Sequence, residues 1–362
     1  MKNNIVLIID SLAGGGAEKI NLRLAEMFIE KDFNVTIIII KNIIEHKINE
    51  NIKIISLNYK KNGLPKIIRD FFYSHKLNQI LNSIPNKKLI IGSLALSNKL
   101  MNCIDSKHKF HYALHNTMTI AKFGQKNLLN KYLKKRELIR IYENKRIICV
   151  SDGVKEDILS LKIKPKSIEV IYNPFDFNEI RNKANEKIEF QFPENNYLIH
   201  VGRFAKVKRH DILIKAFSKI KNKEIKLILV GQGEEKDNIK QLISELNLEK
   251  RIIFTNFQKN PFPIIKKAKA LILSSDREGL PTVLIEALIL NTPIVSTNCP
   301  SGPNEIMKSS LQRFLTKVGD YNDLADKINL ILSTELTIDE NLIQKFNMNE
   351  IIKQYMKIIG DN

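Results

Sequence analysis

The stretch ALILSSDREGLPTVLIEALILNTPIVST, residues 270–297, decides the fold. Its apolar start, ALILSS (270–275), predicts a buried strand, and DREGLPTVLIEAL (276–288) predicts a loop that runs into a helix. PIVST (293–297) then predicts a second strand. Because strands joined through a helix lie parallel in one sheet, this stretch predicts a strand–helix–strand unit of an α/β protein.

The same alternation of apolar strands and helical segments runs through the whole chain. Each near-continuous apolar run indicates a strand that is covered on both faces. The other predicted strands are NIVLIID (4–10), NVTIIII (34–40), IKIISL (52–57), KLIIGS (88–93), FHYALH (110–115), IICVS (147–151), EVIYNP (169–174), YLIHVG (197–202), IKLILVG (225–231) and RIIFT (251–255). We therefore predict two tandem doubly wound, Rossmann-like α/β domains, with ligands bound beyond the carboxyl ends of the strands in a cleft between the domains.

The domain boundaries follow from a change in composition. Segment 173–196 is polar, contains two prolines and lacks a strand pattern, which favours a linker. The predicted domains are residues 1–175 and 190–345. The amphipathic C-terminal segment 346–362 is expected to form a helix that packs back on the first domain.

Composition favours a cytoplasmic protein with an anionic partner. The 362 residues are 43% hydrophobic and 27% charged, which suits two domains with buried cores. The short apolar run at the N-terminus is interrupted by Asp10, and no run approaches the roughly twenty apolar residues of a transmembrane helix, so neither export nor a membrane span is expected. The net charge is +19, and the first 172 residues carry 30 Lys and Arg against 15 Asp and Glu.

The densest basic segment is KFGQKNLLNKYLKKRELIRIYENKR (122–146), with Leu, Ile and Tyr interleaved. A basic amphipathic segment of this kind suits an anionic membrane surface or an anionic substrate. A solvated helix in a lysine-rich protein has the same pattern. The sequence leaves both interpretations open.

Two glutamates flank the start of the helix predicted within 276–288. Glu278 lies where an acid ordinarily caps a helix, near its positively polarised amino end. Glu286 lies in the apolar run VLIEALIL (283–290), where a carboxylate needs a polar partner. A capping role accounts for Glu278 and leaves Glu286 to be explained.

Two cations follow the first strand of the second domain. Arg203 comes directly after YLIHVG, and Lys208 lies five residues later, so both are placed to neutralise a diphosphate. Lys206 and Arg209 are interpreted as solubilising charges. In the first domain Gly14–Gly16 precede a helix, where glycine lets the backbone approach an anion, although a tight turn needs glycine too.

One arrangement satisfies these features. A nucleotide diphosphate lies against the two cations and at the amides of residues 279–282, except Pro281, which has none. Glu286, further along the helix, then accepts hydrogen bonds from ribose hydroxyls, and Glu278 reaches the hydroxyls of the attached sugar. The two acids thus bind sugars on either side of a phosphate site.

Seven short motifs occur in order along the chain. They are GGGAE (14–18), VSDGV (150–154), IYNP (171–174), VGRFAKVK (201–208), GQG (231–233), EGLPTVLIEA (278–287) and CPSGPNEI (299–306). By these motifs the chain resembles, along nearly its whole length, glycosyltransferase family four, a large family of retaining enzymes of the GT-B fold. The variant SGPNEI (301–306) is similar to the branch that builds bacterial surface polysaccharides and lipopolysaccharide.

The resemblance implies a role for each matching residue. Arg203 and Lys208 would stabilise the leaving diphosphate, Glu278 would hold the donor sugar, and His115, in ALHN, would lie near that sugar. The implied donor-binding residues are Gly15, Gly16, Gly202, Asn256, Gly279, Leu280, Pro281, Thr282 and Glu286. Asn256, in the base-binding loop FTNFQ (254–258), stands where members usually have glycine.

The implied reaction is transfer, with retention, of a hexose or N-acetylhexosamine from a nucleotide sugar, namely UDP-linked Gal, GalNAc or GlcNAc. The first domain would bind a lipid-linked glycan, lipopolysaccharide or capsule acceptor, and its basic surface would dock on the inner face of the cell membrane. The second would bind the nucleotide sugar. No cofactor is implied, and since no acids cluster in a metal-binding motif, we predict a metal-independent hexosyltransferase.

The sequence also bears on three other functions. An NAD-dependent dehydrogenase needs G-x-G-x-x-G and an acid after the second strand, but this chain has GGGAEK (14–19) and Lys41-Asn42. A nucleic-acid partner rests on charge alone and is not predicted. A nucleotide-sugar epimerase on the same fold stays open as the alternative.

Overall fold

The computed structural model describes residues 2–360, apart from 14, 61–62, 64, 105–106, 120–127, 189–192 and 194–195. The chain forms two compact units. The first unit is Met1–Pro174 together with Met348–Asn362, and the second is Phe175–Asn347.

The first unit is built on a seven-stranded parallel sheet. Its strands are β1 (Asn4–Ile9), β2 (Asn34–Ile39), β3 (Ile52–Ser56), β4 (Lys87–Ser93), β5 (Phe110–Leu114), β6 (Arg146–Cys149) and β7 (Ser167–Val170). Its helices include α1 (Gly16–Glu30), α2 (Lys66–Ser83), α3 (Ala95–Asn102), α4 (Leu128–Tyr142) and α5 (Asp152–Ser160). The strand order is β3-β2-β1-β4-β5-β6-β7, so the order reverses between β1 and β4.

The second unit repeats this plan with six parallel strands. They are β8 (Tyr197–Val201), β9 (Lys226–Val230), β10 (Ile252–Asn256), β11 (Ala270–Leu273), β12 (Ile294–Thr297) and β13 (Leu315–Thr316). Its helices are α6 (Phe177–Lys183), α7 (His210–Lys219), α8 (Lys236–Glu245), α9 (Phe262–Lys266), α10 (Thr282–Ile289), α11 (Pro303–Ile306), α12 (Tyr321–Leu332) and α13 (Asn341–Gln344), with 3₁₀ turns at Lys206–Lys208 and Ser309–Phe314. The order is β10-β9-β8-β11-β12-β13, which reverses between β8 and β11.

The end of the chain returns to the first unit. Helix α14 (Met348–Gly360) buries Ile351, Ile352, Tyr355 and Ile358 in the same core as α1. The ring of Tyr355 meets that of Phe28 edge to face, with centroids 5.8 Å apart. The spacing of the four buried residues gives the helix one apolar face, which the first core covers.

The prediction of two tandem doubly wound α/β domains is confirmed, because the chain forms two parallel sheets that alternate with helices along the sequence. All twelve predicted strands are present, with ends displaced by a few residues. The prediction of a linker over 173–196 is wrong for its first half, which forms α6. The Asp176 side chain caps α6 by accepting the Glu179 N–H at 2.9 Å, and Phe177 and Ile180 are buried.

Each reversal of strand order opens a crevice at the carboxyl edge of its sheet, because the loops on either side turn to opposite faces. In the first unit these loops follow β1 and β4, and in the second they follow β8 and β11. Most of the sequence-predicted site residues lie in these loops, notably 202–208 and 278–282.

Candidate active site

The loops that follow β8 and β11 are tied together by hydrogen bonds. Ser274 Oγ donates to the Lys208 carbonyl at 2.8 Å, and the Asp276 N–H donates to the Val207 carbonyl at 2.9 Å. These bonds bring the 3₁₀ turn that ends at Lys208 beside the loop that carries Glu278. Two segments about seventy residues apart therefore form one surface at the reversal of strand order.

Lys208 and Glu278 form an ion pair on this surface. Lys208 Nζ lies 2.7 Å from Glu278 Oε1, and the side chains are only 22% and 13% exposed. An ammonium group has further N–H donors beyond the one that Glu278 uses, so it can also bind anionic oxygens. The pair presents a fixed positive group beside a carboxylate acceptor.

The start of α10 is fixed by the loop that follows β12. Ser301 Oγ donates to the Gly279 carbonyl at 2.7 Å. Gly302 has φ +91°, and a Cβ on it would lie 2.4 Å from Pro281 Cδ. The motif CPSGP therefore needs its glycine both for the backbone conformation and for the close approach to residues 279–281.

Two glycines bring the loops after β8 and β9 into backbone contact. The Gly202 N–H donates to the Val230 carbonyl at 3.0 Å. Gly231 has φ +146°, and a Cβ on it would lie 1.9 Å from the Gly202 carbonyl oxygen. A Cβ on Gly202 would in turn lie 3.7 Å from Lys208 Cε. Gly202 therefore positions the backbone next to the lysine.

The two predicted phosphate-binding cations differ in their surroundings. Arg203 is exposed, and within the described residues its guanidinium takes part in no hydrogen bond or ion pair. Lys208 is half-buried and held by Glu278. The structure thus brings Lys208 and Glu278 together, and leaves Arg203 at the surface of the same loop.

The interpretation of Arg209 as a solubilising charge is wrong. Its Nε and Nη2 donate to the Asp211 carboxylate, and Nη1 donates to Asp276 Oδ1, all at 2.9 Å. The hydrogen bonds to Asp211 and Asp276 raise the pKa of the guanidinium against the opposing effect of burial. Arg209 therefore clamps the loop after β8 to the loop after β11.

Glu286 lies in the second turn of α10 and is half-buried, between the buried residues Ile285 and Ala287. The helix turns this position to the boundary of the core, so that the apolar helix carries an acid without burying its charge.

The backbone conformation of Asn256 accounts for an asparagine at a position where glycine is usual in the family. Its φ is +56°, in the left-handed region that glycine favours and that Asn tolerates better than other residues. Its carbonyl accepts the Gly231 N–H at 2.8 Å, and its Oδ1 accepts Lys236 Nζ at 2.7 Å. Asn256 therefore adopts a turn that glycine would also suit.

Two buried histidines lie behind the Lys208–Glu278 pair. The rings of His200 and His210 have centroids 4.6 Å apart, and His200 Nδ1 lies 2.9 Å from the Ile272 carbonyl. Burial lowers the pKa of His200 to about 4 and that of His210 to about 2, helped by the charge of Lys208. Both are neutral near pH 7. Neither histidine was predicted as a site residue, although each flanks the VGRFAKVK motif.

In the first unit, the loop after β1 carries Gly15 and Gly16, while Gly14 lies outside the described residues. The Gly15 carbonyl accepts the Lys19 N–H at 3.2 Å, and a Cβ on Gly15 would lie 2.3 Å from Glu18 Oε2. Nothing lies within 4 Å of a Cβ on Gly16 among the described atoms. Glu18 is thus folded back over the glycine turn.

Two acids, Asp10 and Glu18, line this edge of the first unit, and neither was predicted as a site residue. Asp10 accepts the Ser97 N–H at 2.7 Å and the Leu96 N–H at 3.2 Å, at the start of α3. Burial raises the pKa of Asp10 against these hydrogen bonds, and burial together with the charge of Asp10 raises the pKa of Glu18. An acid directly after β1 and an acid after the glycines were the available sequence signals.

His115 follows β5, at the carboxyl edge of the first sheet. Both of its ring nitrogens are buried, and neither has a hydrogen-bond partner in the described part of the chain. Burial lowers the pKa of His115 to about 4, so the ring is neutral near pH 7. A neutral imidazole can accept or donate a hydrogen bond at this edge.

Two further properties of the described residues concern metal binding and membrane spans. Across the described residues, no three His, Cys, Asp or Glu side chains are grouped as a metal site. None of the described helices is both long and apolar enough to cross a bilayer.

A pocket of about 810 Å³ lies elsewhere in the second unit. It is lined by residues that follow α6 and by residues of α9 and the segment after it, as far as Lys269, directly before β11. It therefore lies at the amino edge of the second sheet, away from the candidate site.

Two family descriptions match consecutive parts of the chain. Residues 14–179 match Glycosyltransferase Family 4, and residues 182–349 match Glycosyl transferases group 1.

Proteins similar to this chain carry related names. An uncharacterized glycosyltransferase of Methanocaldococcus jannaschii is 31% identical over 268 residues, which cover 70% of this chain and 62% of that protein. The N-acetylgalactosamine-N,N'-diacetylbacillosaminyl-diphospho-undecaprenol 4-alpha-N-acetylgalactosaminyltransferase of Campylobacter jejuni is 27% identical over 339 residues, 91% of this chain and 90% of that enzyme.

Among solved structures, Anabaena HepE in complex with UDP and glucose has a TM-score of 0.77 at 18% identity, over 99% of this chain and 100% of that one. At that identity the similarity shows the fold. Neither the epimerase nor the dehydrogenase alternative is favoured by these similarities. The two matched families and the named relatives establish that the chain belongs to glycosyltransferase family four, with the GT-B fold.

Proposed function

We propose that this glycosyltransferase moves a hexose or N-acetylhexosamine, with retention and without a metal ion, from a UDP-sugar to a lipid-linked glycan, lipopolysaccharide or capsule acceptor. The observation that carries the proposal is the Lys208–Glu278 pair beside the start of α10. This pair puts a cation and a sugar-hydroxyl acceptor within 2.7 Å of each other.

Cleavage of the anomeric bond leaves negative charge on the diphosphate. The Lys208 ammonium, the exposed Arg203 guanidinium and the first amides of α10 are the groups that stabilise this charge. A fixed cation is worth most in the transition state, where the charge develops. Positively charged side chains therefore supply the electrostatic stabilisation that a metal ion supplies in other transferases.

Glu278 and Glu286 take the two sugars of the donor. Glu278, oriented by Lys208, accepts hydrogen bonds from hydroxyls of the transferred sugar. Glu286, in the second turn of α10 and half-buried, accepts hydrogen bonds from the ribose. Asn256 keeps the loop that meets the nucleobase in its left-handed turn.

The first unit is proposed to hold the acceptor. Retention requires that the acceptor oxygen bonds to the anomeric carbon on the face that the diphosphate leaves. A pair of catalytic carboxylates of the glycosidase type is not part of this proposal. The neutral ring of His115 and the glycines of the loop after β1 are the groups we assign to the sugar and the acceptor.

The acceptor class is supported by the Campylobacter jejuni relative, whose name gives a diphospho-undecaprenol-linked glycan. We place the enzyme in the cytoplasm at the inner face of the membrane, where such acceptors are presented. The excess of 15 positive charges in the first 172 residues supports contact with an anionic surface.

Binding of nucleotide sugars tests the donor assignment. Calorimetry and thermal shift are measured with UDP-, GDP- and ADP-sugars for the wild type, Arg203→Ala and the control Lys206→Ala. We expect one UDP-sugar to stabilise the wild type and Lys206→Ala, and to lose most of that effect in Arg203→Ala. An equal response to all three nucleotides, or to none, would refute the donor assignment, and conversion of the donor without an acceptor would indicate an epimerase.

A further inference from the structure

Eight of the fifteen large hydrophobic side chains that are exposed in the described residues lie in only two helix starts, both in the first unit. The α2 tip is formed by Ile67, Ile68, Phe71 and Phe72, and the α4 tip by Leu128, Leu129, Tyr132 and Leu133. Their exposed fractions run from 53% to 85%. In both tips the residues lie at i, i+1, i+4 and i+5, which places them on one stripe of the helix.

The two tips lie at the same end of one helix layer. Helix α2 follows β3 and α4 follows β5, and all strands of this sheet are parallel, so both helices begin at its carboxyl edge. Both pack beside α3. Lys99 Nζ of α3 lies 2.6 Å from Asp70 Oδ2 of α2, and Asn102 Nδ2 of α3 donates to the Arg140 carbonyl of α4 at 3.2 Å.

At the start of α2 a charged side chain is buried and apolar side chains are exposed, the reverse of the usual arrangement. Asp70 is 2% exposed and accepts hydrogen bonds from Tyr59 Oη, at 2.7 Å, and from Lys99, whereas Phe71 is 68% exposed. Arg69 Nε donates to Tyr59 Oη at 2.8 Å. These bonds fix the polar side chains toward the interior of the unit. The apolar side chains therefore face outward in an ordered helix turn, and their exposure does not come from fraying of the helix end.

Positive charge surrounds the tips. Lys66 is exposed at the first position of α2. Helix α4 carries five basic residues and one acid, Glu137, which pairs with Lys134. Apolar side chains that point outward among lysines and arginines complement a surface of hydrocarbon beneath negative charge.

We propose that the α2 and α4 tips together dock the protein on an anionic lipid bilayer, with the apolar stripes inserted at the headgroup boundary and the lysines on the phosphates. The inference deepens the proposed function, on which it rests for the presence of a lipid-linked acceptor. Insertion of two tips at the carboxyl edge of the first sheet sets that edge against the bilayer, where a lipid-borne glycan is presented.

Flotation of the full chain with vesicles tests the proposal. The vesicles are phosphatidylcholine alone and phosphatidylcholine with phosphatidylglycerol. The variants are Phe71→Ser/Phe72→Ser in the α2 tip and Leu129→Ser/Leu133→Ser in the α4 tip. The matched control is Leu159→Ser/Leu330→Ser, two exposed leucines outside the tips. Thermal unfolding of each variant verifies that it is folded.

We expect the wild type and the control to float with the anionic vesicles, and each tip variant to bind about tenfold or more weakly. Lys131→Gln/Lys135→Gln should weaken binding about fivefold per lysine, on anionic vesicles only. Equal flotation of tip variants and wild type would overturn the proposal, as would concentration-dependent self-association of the wild type without vesicle binding. Affinity for the UDP-sugar, measured without vesicles, tests the proposed function separately, because the tips contain no residue of the candidate site.

Discussion

The two carboxyl edges of this protein share a topology and differ in charge. At the edge of the second sheet, Lys208 and Glu278 are paired, and Arg203 is exposed in the loop that carries Lys208. At the edge of the first sheet, Asp10 and Glu18 lie near one another with raised pKa values, caused first by burial, and His115 is neutral. One edge therefore suits a diphosphate and the other suits hydroxyl groups.

The two edges also differ in how tightly their loops are fixed. Gly231 and Gly302 have positive φ, and each packs against backbone of a neighbouring loop. At the first edge a Cβ on Gly15 would meet only the Glu18 side chain, and nothing among the described atoms lies within 4 Å of a Cβ on Gly16. A rigid, preorganised edge suits electrostatic stabilisation of a leaving group, which is the role we propose for the second edge. The following experiments test this contrast, beginning with the largest expected effect.

Lys208→Met removes the cation of the second edge and leaves Glu278 without its partner. We expect kcat/KM for sugar transfer to fall about a thousandfold, because the charge acts where the diphosphate leaves. Lys206→Met, an exposed lysine of the same 3₁₀ turn, is the control and should keep nearly full activity. A loss of less than tenfold in Lys208→Met would remove this residue from the catalytic machinery.

Gly231→Ala tests the rigidity of the second edge. The new Cβ would meet the Gly202 carbonyl oxygen at 1.9 Å, in a backbone conformation that alanine rarely adopts. We expect the free energy of unfolding to drop by about 3 kcal/mol, read from denaturant titration. Gly16→Ala in the first edge is the matched control and should be close to neutral. Equal stability of both variants would show that the two edges are fixed alike.

The buried histidines behind Lys208 make the second edge sensitive to acid. The pKa of His200 is lowered from 6.5 to about 4, chiefly by burial, so the unfolded chain binds this proton more readily than the folded one. Its stabilising contribution is full above pH 6.5 and is lost as the pH falls toward 4, an effect of the order of 3 kcal/mol. His200→Gln should flatten the fall in unfolding free energy over that interval. An unchanged slope would mean that His200 does not titrate in this way.

Asn256→Gly should have the smallest effect. Glycine suits φ +56° and gives up only the bond from Lys236, so we expect a change in unfolding free energy below about 1 kcal/mol. Asn256→Val, which does not suit this backbone, should cost more. Affinity for UDP is measured by calorimetry. A tenfold loss in Asn256→Gly would show that the amide itself contacts the nucleotide.

Strands and their order of appearance could be predicted because each is a near-continuous apolar run in a sheet covered on both faces. Strand β13 was not predicted, because two residues, Leu315 and Thr316, are too few to show a periodic pattern. Helix α6 was not predicted for a similar reason, since its seven residues lie in a polar segment with few apolar positions.

The proximity of residues in the candidate site could be predicted to the extent that they stand in contiguous motifs. Lys208 and Glu278 each follow a strand, and parallel topology brings such ends together. The role of Arg209 could not be predicted, because one of its partners, Asp276, is 67 residues away. The positions of Asp10 and Glu18, after β1 and after the glycines, were visible in the sequence, but their raised pKa values could not be predicted, since these arise from burial in the folded unit.

Calorimetric titration of UDP and the preferred UDP-sugar into wild type, Lys208→Met and Glu18→Gln tests most directly whether the cationic edge is the donor site. We expect Lys208→Met to lose most of its affinity for both ligands, and Glu18→Gln, at the first edge, to bind them as the wild type does. Wild-type affinity in Lys208→Met, or a greater loss in Glu18→Gln, would contradict the assignment of donor to the second edge and acceptor to the first.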